Sequence, residues 1–402
     1  MTKSIISKLL FAVLSLLSFQ ASSVLGAAGA QPPPPAGACL VYVGTYTGPQ
    51  SKGIYAWRMD TATGSLTSLG LAAETASPSY LEIAPNHRFL YAVNEVNTFE
   101  GKAAGSVSAF SMDAATGKLT LLNQQTSGGR GPCYLTLDGE GRDVLVANYT
   151  GGSIECLPVQ SDGRLGAPTA FIQHTGKSVN PSRQAEPHAH CMALDAAGRF
   201  AFVCDLGLDK LMSYRFDAAQ GTLTANQPAF TATKPGAGPR HLVFSPDGRQ
   251  AYVINEIAST IASYGYNAAA GVLTELQTVS SLPQGFTGQS TAAEIAVHPS
   301  GKFLYGSNRG DDSIAVFSIS QPGPGAPANG TMTFVQRVSS GGRTPRHIGI
   351  DPAGKYLFAS NQGSGNVVIF NLDAATGMLA PSGKVLEVSS PVCVKFVPVP
   401  AP

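Results

Sequence analysis

Short apolar runs recur along the chain at a nearly fixed interval, and each is followed by a polar turn and a second apolar run. The clearest copy spans residues 238–256 (GPRHLVFSPDGRQAYVINE). In it an apolar run is followed by Ser-Pro-Asp-Gly, a second apolar run over 251–254, and a polar exit at Asn255 and Glu256. Proline presets one turn dihedral and glycine supplies the left-handed one, so the pattern predicts a β-hairpin.

Further copies of this hairpin pattern occur throughout the chain. They begin at Pro78, Pro132, Ala189, Ala292 and Pro345. Together with Pro239 of the clearest copy, consecutive starts are 50 to 57 residues apart. Each hairpin is followed by further residues with the pattern of β-strands. In four units this part contains a strand that ends in Asp or Asn before a Gly-containing turn, at 110–120, 214–224, 264–274 and 369–379. Each interval therefore holds roughly four short strands, the content of one β-propeller blade.

The two ends of the chain supply the halves of one further unit. Residues 391–397 (PVCVKFV) have the pattern of a first strand, and residues 40–46 (LVYVGTY) have that of a second strand with no first strand before it. Six complete units and one divided unit predict an all-β fold, a seven-bladed β-propeller with four-stranded blades. Pairing of the C-terminal strand into the N-terminal blade would close the ring and cover both sheet edges.

The N-terminal region has a different character. Residues 1–30 combine Lys3 and Lys8, an apolar run over 9–17 and a small-residue end, which is the pattern of an export signal. The apolar run is shorter than the ~20 residues of a spanning helix, so cleavage rather than anchoring is expected. We predict a proline-rich spacer over 31–38 and one propeller domain over 39–402, in a periplasmic or secreted protein that is not held in a membrane.

Composition narrows the class of partner. Charged residues make up 13% of the chain and the net charge is +1, which excludes a basic face for nucleic acid and favours small-molecule or protein partners. We expect a monomer without a cofactor. No metal site is expected, because no HExxH motif or carboxylate-rich loop occurs. The absence of a GxSxG elbow argues against a serine nucleophile. The six cysteines follow no compact spacing and are expected to be small apolar strand residues, with Cys191 and Cys204 as the best candidate pair.

Polar residues concentrate where first strands begin and second strands end. Because these strands run antiparallel, both positions lie at the same face of the disc, so the side chains should ring one mouth of the central channel. At the starts of first strands, one register position holds His190, Arg240 and Arg346, and the next holds Cys191, His241, Glu294 and His347. The second strands end in Glu95, Tyr149, Leu206, Glu256, Arg309, Gln362 and Tyr46.

The polar side chains at the channel mouth could form either a catalytic site or a structural network. Unpaired charges are costly to bury, so the competing interpretation is a set of ion pairs between blades. Five asparagines each come one residue before the polar position at the end of a second strand, and they are expected to satisfy backbone groups at the turn. They are Asn94, Asn148, Asn255, Asn308 and Asn361.

The segments 238–248 (GPRHLVFSPDG), 292–309 (AAEIAVHPSGKFLYGSNR) and 345–358 (PRHIGIDPAGKYLF) resemble the seven-bladed lactonase family. Its bacterial members include a propeller-type 6-phosphogluconolactonase, and its fungal relatives include carboxy-cis,cis-muconate cyclase. The resemblance spans about 40–398 and implies catalytic residues at the channel mouth. These are His190, Arg240, Glu256 and Arg309, with His188 close to His190.

Lactone hydrolysis needs a base that activates water and a positive group that faces the oxyanion. Glu256 or His190 can serve as the base, and Arg240 fits the oxyanion or a substrate carboxylate. Arg309 and Arg346 could hold a second anionic group. We expect His188, His241, Glu294, Arg346 and His347 to bind substrate.

The expected substrate is a lactone or carboxylate, and the predicted activity is that of a sugar lactonase resembling 6-phosphogluconolactonase. The export signal argues against a phosphorylated substrate. Two alternatives remain open: a muconate-type cycloisomerase, which needs the same groups, and a non-catalytic binding propeller of the YVTN type.

Overall fold

The computed structural model describes residues 37–321 and 330–399, and strands account for the regular structure in these residues. They form seven four-stranded antiparallel sheets, numbered here as blades 1 to 7. This architecture confirms the predicted all-β, seven-bladed propeller. The predicted export signal over 1–30 and most of the proline-rich spacer lie outside the described residues.

The blades in the first half of the chain are as follows. Blade 1 contains β1 (Ala38–Thr45), β2 (Gly53–Asp60), β3 (Leu66–Glu74) and the last strand, β28 (Pro391–Val399). Blade 2 contains β4 (Leu81–Ile83), β5 (Phe89–Asn94), β6 (Ser106–Met112) and β7 (Leu119–Thr126). Blade 3 contains β8 (Pro132–Leu137), β9 (Asp143–Asn148), β10 (Ser153–Pro158) and β11 (Ala170–Gln173).

The remaining four blades repeat the same order of strands. Blade 4 contains β12 (Ala189–Leu194), β13 (Phe200–Asp205), β14 (Lys210–Asp217) and β15 (Thr222–Ala232). Blade 5 contains β16 (Pro239–Phe244), β17 (Gln250–Asn255), β18 (Thr260–Asn267) and β19 (Val272–Ser280). Blade 6 contains β20 (Thr291–Val297), β21 (Phe303–Arg309), β22 (Ser313–Ile319) and β23 (Met332–Ser339). Blade 7 contains β24 (Pro345–Ile350), β25 (Tyr356–Asn361), β26 (Asn366–Leu372) and β27 (Leu379–Glu387).

The ring closes through blade 1, as the divided repeat predicted. β28 pairs antiparallel with β1, from Val399 opposite Ala38 to Pro391 opposite Thr45. β1 begins one residue before residue 39, the predicted start of the domain. The hydroxyl of Thr61 donates to the carbonyl of Gly37 at 2.6 Å, which ties the residue before β1 to the same blade.

The turn between first and second strands is built by side chains as well as by glycine. In blade 4, Asp195 Oδ1 accepts from the backbone N–H of Arg199 at 2.7 Å and of Phe200 at 2.9 Å, while Gly198 has a φ of 64°. A carboxylate at this position therefore satisfies the amides of a tight turn, and glycine adopts the left-handed conformation without a Cβ clash.

The core lies between adjacent blades rather than within one blade. The second strands β5, β9, β13, β17 and β25 are buried along their whole length. Between blades 4 and 5, for example, Phe202 and Leu211 belong to one apolar cluster with Leu242, Val253 and Tyr264. Burial on both faces explains why these strands are continuous apolar runs instead of alternating ones.

The cysteines and most of the repeated asparagines have the structural roles predicted for them. All six cysteines are buried and free, including Cys191 and Cys204, which lie opposite each other in the β12–β13 ladder. Four asparagines donate from Nδ2 to a backbone carbonyl of the segment that leads into their own blade, at 2.6 to 3.1 Å. These four are Asn94, Asn148, Asn308 and Asn361. Asn255 differs, because its Nδ2 donates to Thr260 Oγ1 at 3.0 Å.

Candidate active site

A β-bulge interrupts the first strand at the predicted rim positions. The β16–β17 ladder shifts register between Pro239 and His241, which leaves Arg240 outside the pairing. The same shift occurs around His190 in β12 and around Arg346 in β24. Consecutive side chains of a regular strand point to opposite faces, whereas a bulge re-aims one of them. The bulge therefore lets Arg240 and His241 join one continuous group of side chains.

Glu256, directly after β17, is the centre of this group. Its Oε2 lies 2.7 Å from Arg309 Nη2, 3.1 Å from Arg240 Nε and 3.9 Å from His190 Nε2. The Arg240 contact is an ion pair without hydrogen-bond alignment. On the other oxygen, Oε1 accepts from Arg183 Nη2 at 2.5 Å. The four predicted catalytic residues are thus in contact, and ion pairs between blades are part of the arrangement.

The arginines decide the ionisation of Glu256. Burial alone would raise the pKa of this carboxyl, but Arg309 and Arg240 hold the pKa well below its usual range. Conversely, burial lowers the pKa of Arg309 to about 10 despite the attraction of Glu256. Glu256 is therefore ionised at neutral pH, and its lone pairs are engaged by cations, which makes it a poor proton acceptor.

His190 has the opposite electrostatic situation. Its side chain is buried, and burial together with the positive charge of Arg240 holds its pKa well below the ordinary value. Its Nδ1 lies 3.7 Å from the thiol of Cys133, whose own pKa is raised by burial. The imidazole is consequently neutral at pH 7 and carries a nitrogen that can accept a proton.

A second group lies next to the first and is centred on Glu294. Glu294 Oε1 is 2.7 Å from His241 Nδ1, and Glu294 Oε2 is 3.5 Å from His347 Nε2. Burial is the main reason that the pKa of His347 is lowered to about 4 and that of His241 is held well below its ordinary value. The rings of His190 and His241 are 5.1 Å apart, so the two groups are continuous.

The other two predicted residues lie at the edge of the first group. His188 stacks on Tyr149 with ring centroids 4.4 Å apart, and its Nδ1 is 3.0 Å from the Tyr149 carbonyl. The Arg346 guanidinium lies 5.3 Å from the centre of the Tyr46 ring, and the Tyr46 hydroxyl donates to Glu95 at 2.8 Å. Within the described part of the chain, Arg346 has no carboxylate at ion-pair distance.

Arg183 is a member of the site that the strand pattern did not indicate. It lies in the long connection between β11 and β12, and its Nη2 contacts Glu256 and the Tyr149 hydroxyl, the latter at 3.2 Å. Asn180 Oδ1 accepts from the Arg183 backbone N–H, and the buried Gln184 donates to the Leu206 carbonyl. The turn signal Asn-Pro-Ser at 180–182 marks this loop, but only tertiary contacts bring it to the mouth.

Beside the Glu294 group lie aromatic and charged residues that the strand pattern did not indicate. The rings of Tyr80 and Tyr134 are 4.1 Å apart, and Tyr134 lies 5.0 Å from His241. Lys395 pairs with Glu82 at 2.8 Å and lies 4.7 Å from the centre of the Tyr80 ring. These residues form the wall next to the Glu294 group.

Residues 37–321 and 330–399 contain neither a candidate metal centre nor a candidate membrane-spanning helix. No group of three or more His, Cys, Asp or Glu side chains is arranged to hold a metal ion. No helix in these residues has the length and apolar character to cross a membrane.

Comparison with known proteins identifies the family. A model of the family described as lactonase, 7-bladed β-propeller, matches residues 40–396. The chain belongs to this lactonase family. Membership confirms the resemblance inferred from the hairpin segments and the predicted enzyme class, a lactone hydrolase.

Relatives of this lactonase chain are similar over nearly its whole propeller. It is 39% identical over 356 residues to a 6-phosphogluconolactonase of Bacillus subtilis, which covers 89% of this chain and 97% of the relative. A 6-phosphogluconolactonase of Formosa agariphila is 31% identical, with 84% and 94% covered. The structure of a periplasmic gluconolactonase of Pseudomonas aeruginosa is 36% identical with a TM-score of 0.83, covering 90% of this chain and all of the other.

Proposed function

We propose that this lactonase hydrolyses a sugar lactone at the channel mouth, with His190 as the base and arginine side chains as the oxyanion partners. The observation that carries the proposal is the excess of guanidinium groups over carboxylates beside a neutral imidazole. Arg183, Arg240 and Arg309 all contact the single carboxylate of Glu256. The names of its relatives, 6-phosphogluconolactonase and gluconolactonase, support a sugar lactone as the substrate.

His190 is the better base of the two residues that the sequence left open. A general base must hold a free lone pair at the working pH, and the neutral imidazole does so. The pKa of His190 is also lowered, but arginines contact both carboxylate oxygens of Glu256, whereas no arginine of the described residues is bonded to a ring nitrogen of His190. The negative charge of Glu256 lies 3.9 Å from His190 Nε2, where it would stabilise the imidazolium formed when water loses a proton.

The proposed reaction needs only water, the lactone and the side chains of the site. Water adds to the lactone carbonyl carbon as His190 takes one of its protons, and the carbonyl oxygen becomes an oxyanion. The bond between the carbonyl carbon and the ring oxygen then breaks, and His190 returns the proton to that ring oxygen. The product is a hydroxy acid, which ionises near neutral pH, so each turnover releases one proton to solution.

Arg240 and Arg309 have donors left for the oxyanion. A guanidinium has five N–H groups. Arg240 uses Nη1 for the carbonyl of Ala293 at 2.6 Å. Arg309 uses Nε for the carbonyl of Thr291 at 3.4 Å and Nη2 for the carbonyl of Ala292 at 3.1 Å and for Glu256, which leaves its Nη1. The bonds to backbone and carboxylate fix both guanidiniums in advance, so stabilising the oxyanion needs no reorganisation.

Arg346 is the residue we assign to an anionic substituent of the substrate. No carboxylate of the described residues lies at ion-pair distance from it, although Glu95 and Glu256 attract its charge from farther away, in contrast to the three arginines that contact Glu256. A phosphate on the sugar would form paired, charge-assisted hydrogen bonds with it. Comparison of gluconolactone with its 6-phosphate therefore tests whether the substrate is phosphorylated. An exported protein is expected to meet the unphosphorylated lactone.

The decisive experiment is a screen of the purified propeller against gluconolactone, its 6-phosphate and other lactones, read by proton release above the uncatalysed rate. Arg240→Ala should lower kcat/KM by about 10²–10³-fold for the best substrate, because it removes a preorganised cation opposite the oxyanion. The control is Arg249→Ala, an exposed arginine on the hairpin turn of the same blade. No hydrolysis of any lactone by folded protein would refute the proposal and favour a binding propeller, and full activity of Arg240→Ala would refute the assigned role.

A further inference from the structure

The segments that lead into blades 4 and 5 make equivalent backbone hydrogen bonds but carry different side chains at the point where they meet their blade. At the entry to blade 4, the buried His174 side chain bridges two buried residues of that blade. Its Nδ1 lies 2.6 Å from Asp205 Oδ2, and its Nε2 lies 2.9 Å from the Tyr214 hydroxyl. The imidazole fills this junction and satisfies both polar partners.

Blade 5 places Thr233, Asn255 and Tyr264 at the equivalent positions. Asn255 ends β17 as Asp205 ends β13, and Tyr264 is the fifth residue of β18 as Tyr214 is of β14. The backbone N–H of Thr233 donates to the carbonyl of Asp209, as that of His174 does to Gly152 in the blade before. The tyrosine is retained, a neutral amide replaces the carboxylate, and a short hydroxyl side chain replaces the imidazole.

A cavity of about 220 Å³ lies at the blade 5 junction, where blade 4 has the imidazole. Thr233, Asn255 and Tyr264 all line it. Thr233 Oγ1, Asn255 Oδ1 and the Tyr264 hydroxyl are buried, and none has a hydrogen-bond partner among the described residues. Buried polar atoms without partners are costly, and here three of them line one cavity.

We propose that this cavity is a second binding site, which takes a small neutral polyhydroxylated molecule of about the size of one sugar ring. Asn255 Nδ2 is engaged by Thr260, so the free Oδ1 accepts a hydrogen bond from the ligand. Burial raises the pKa of Tyr264, so its hydroxyl keeps its proton and can donate or accept. A ligand hydroxyl meets either requirement, because it both donates and accepts.

Size and charge define the ligand further. The cavity is several times the ~30 Å³ share of one water and smaller than the roughly 300–1,000 Å³ of sites for drug-sized ligands. Of its charged lining residues, Lys234 and Glu275 are exposed and opposite in sign, so the buried part of the cavity favours a neutral group. Ala237 and Ala262 supply apolar surface for the C–H face of a ring. This inference does not depend on the proposed hydrolysis, since none of the assigned catalytic residues lines the cavity.

The test uses D-glucose and myo-inositol, two neutral polyols that cannot be hydrolysed as lactones. Titration calorimetry and crystals soaked with each probe should show one molecule in the cavity, bonded to Asn255 and Tyr264. Tyr264→Phe should weaken binding at least tenfold. Tyr214→Phe makes the same chemical change at the filled junction of blade 4 and should leave binding unchanged.

Filling the cavity gives the second arm of the test. Thr233→His copies the imidazole of blade 4 and should abolish probe binding while lactone hydrolysis is retained. Ala262→Leu fills the same cavity from β18 and replaces it if the histidine variant does not fold. Ordered water alone in the cavity at saturating probe would overturn the proposal, as would unchanged affinity in a folded, filled variant.

Discussion

Two buried carboxylates of the channel, Glu256 and Glu294, have partners that differ in charge. Glu256 is surrounded by three guanidinium groups, whereas Glu294 faces His241 and His347. Burial lowers the pKa of both histidines, so they are neutral at pH 7. The Glu256 group therefore has a net positive charge, and the Glu294 group does not.

In the proposed reaction, this difference favours the Glu256 group as the place of the chemistry. A lactone gains negative charge on its carbonyl oxygen as water attacks, and preorganised cationic donors stabilise that change more strongly than neutral donors do. The Glu256 group supplies it next to the neutral His190. The Glu294 group, with its tyrosine wall, suits hydrogen bonding to the uncharged hydroxyls of a bound substrate.

The largest expected effect separates the histidines of the two groups. His190→Gln removes the proposed base and should lower kcat by roughly 10²–10⁴-fold. His347→Gln makes the same change beside Glu294 and should lower kcat less than tenfold. Both rates are measured by proton release per folded molecule, with unfolding monitored separately. A larger loss in His347→Gln would move the chemistry to the Glu294 group.

The second effect is on stability and compares the carboxylates. Glu256→Gln leaves three arginines without their carboxylate, two of them largely buried, and breaking a buried ion pair typically costs about 3–5 kcal/mol. Glu294→Gln removes bonds to neutral imidazoles only, for which a loss of about 1–3 kcal/mol is expected. Urea unfolding of the two variants measures the difference. Equal losses of unfolding free energy in the two variants would show that Glu256 is not needed to offset the charge of the buried arginines.

The sequence predicted the fold and the rim because both depend on periodic features. Repeat length, hairpin turns and the divided terminal unit determine seven blades and their closure. Antiparallel pairing then brings Arg240 to Glu256 although sixteen residues separate them, and the bulge in β16 keeps that register.

What sequence could not predict depends on contacts outside the repeat. Arg183 reaches Glu256 from a connection without strand periodicity, so no register position marked it. The polar side chains at the channel mouth divide into the Glu256 group and the Glu294 group, and this division depends on which side chains contact each carboxylate rather than on their order along the chain. The cavity in blade 5 lies where Thr233 stands in place of the larger His174, a correspondence that is visible only once both junctions are seen in three dimensions.

The third effect is a pH dependence of stability that the histidines should produce. In the unfolded chain His347 titrates near 6.5, whereas burial lowers its folded pKa to about 4. As pH falls from 6.5 to 4, the unfolded state binds a proton that the folded state does not, so stability decreases by on the order of 3 kcal/mol for this residue. His190 and His241 shift in the same direction.

Urea unfolding at several pH values between 7.5 and 4.5 measures this slope. His347→Gln should make it shallower, and the exposed His87→Gln provides the control with an unchanged slope. The carboxyl of Glu256 adds its own loss only at lower pH, because its unfolded pKa is near 4.5. Constant stability across the histidine range would contradict the assignment of neutral, buried imidazoles to the Glu294 group.

The smallest expected effect concerns Arg346, the rim arginine without a carboxylate of its own. If it holds an anionic substituent, Arg346→Ala should lower kcat/KM for 6-phosphogluconolactone about tenfold or more, the loss of a charged hydrogen bond worth ~1.5–3 kcal/mol. The value for unphosphorylated gluconolactone should change little, because Arg240 and Arg309 remain in place for the oxyanion. Arg343→Ala, three residues earlier and exposed, is the matched control. An equal loss for both lactones would instead assign Arg346 to the reacting carbonyl, and the positive charge of the Glu256 group would then extend to four arginines.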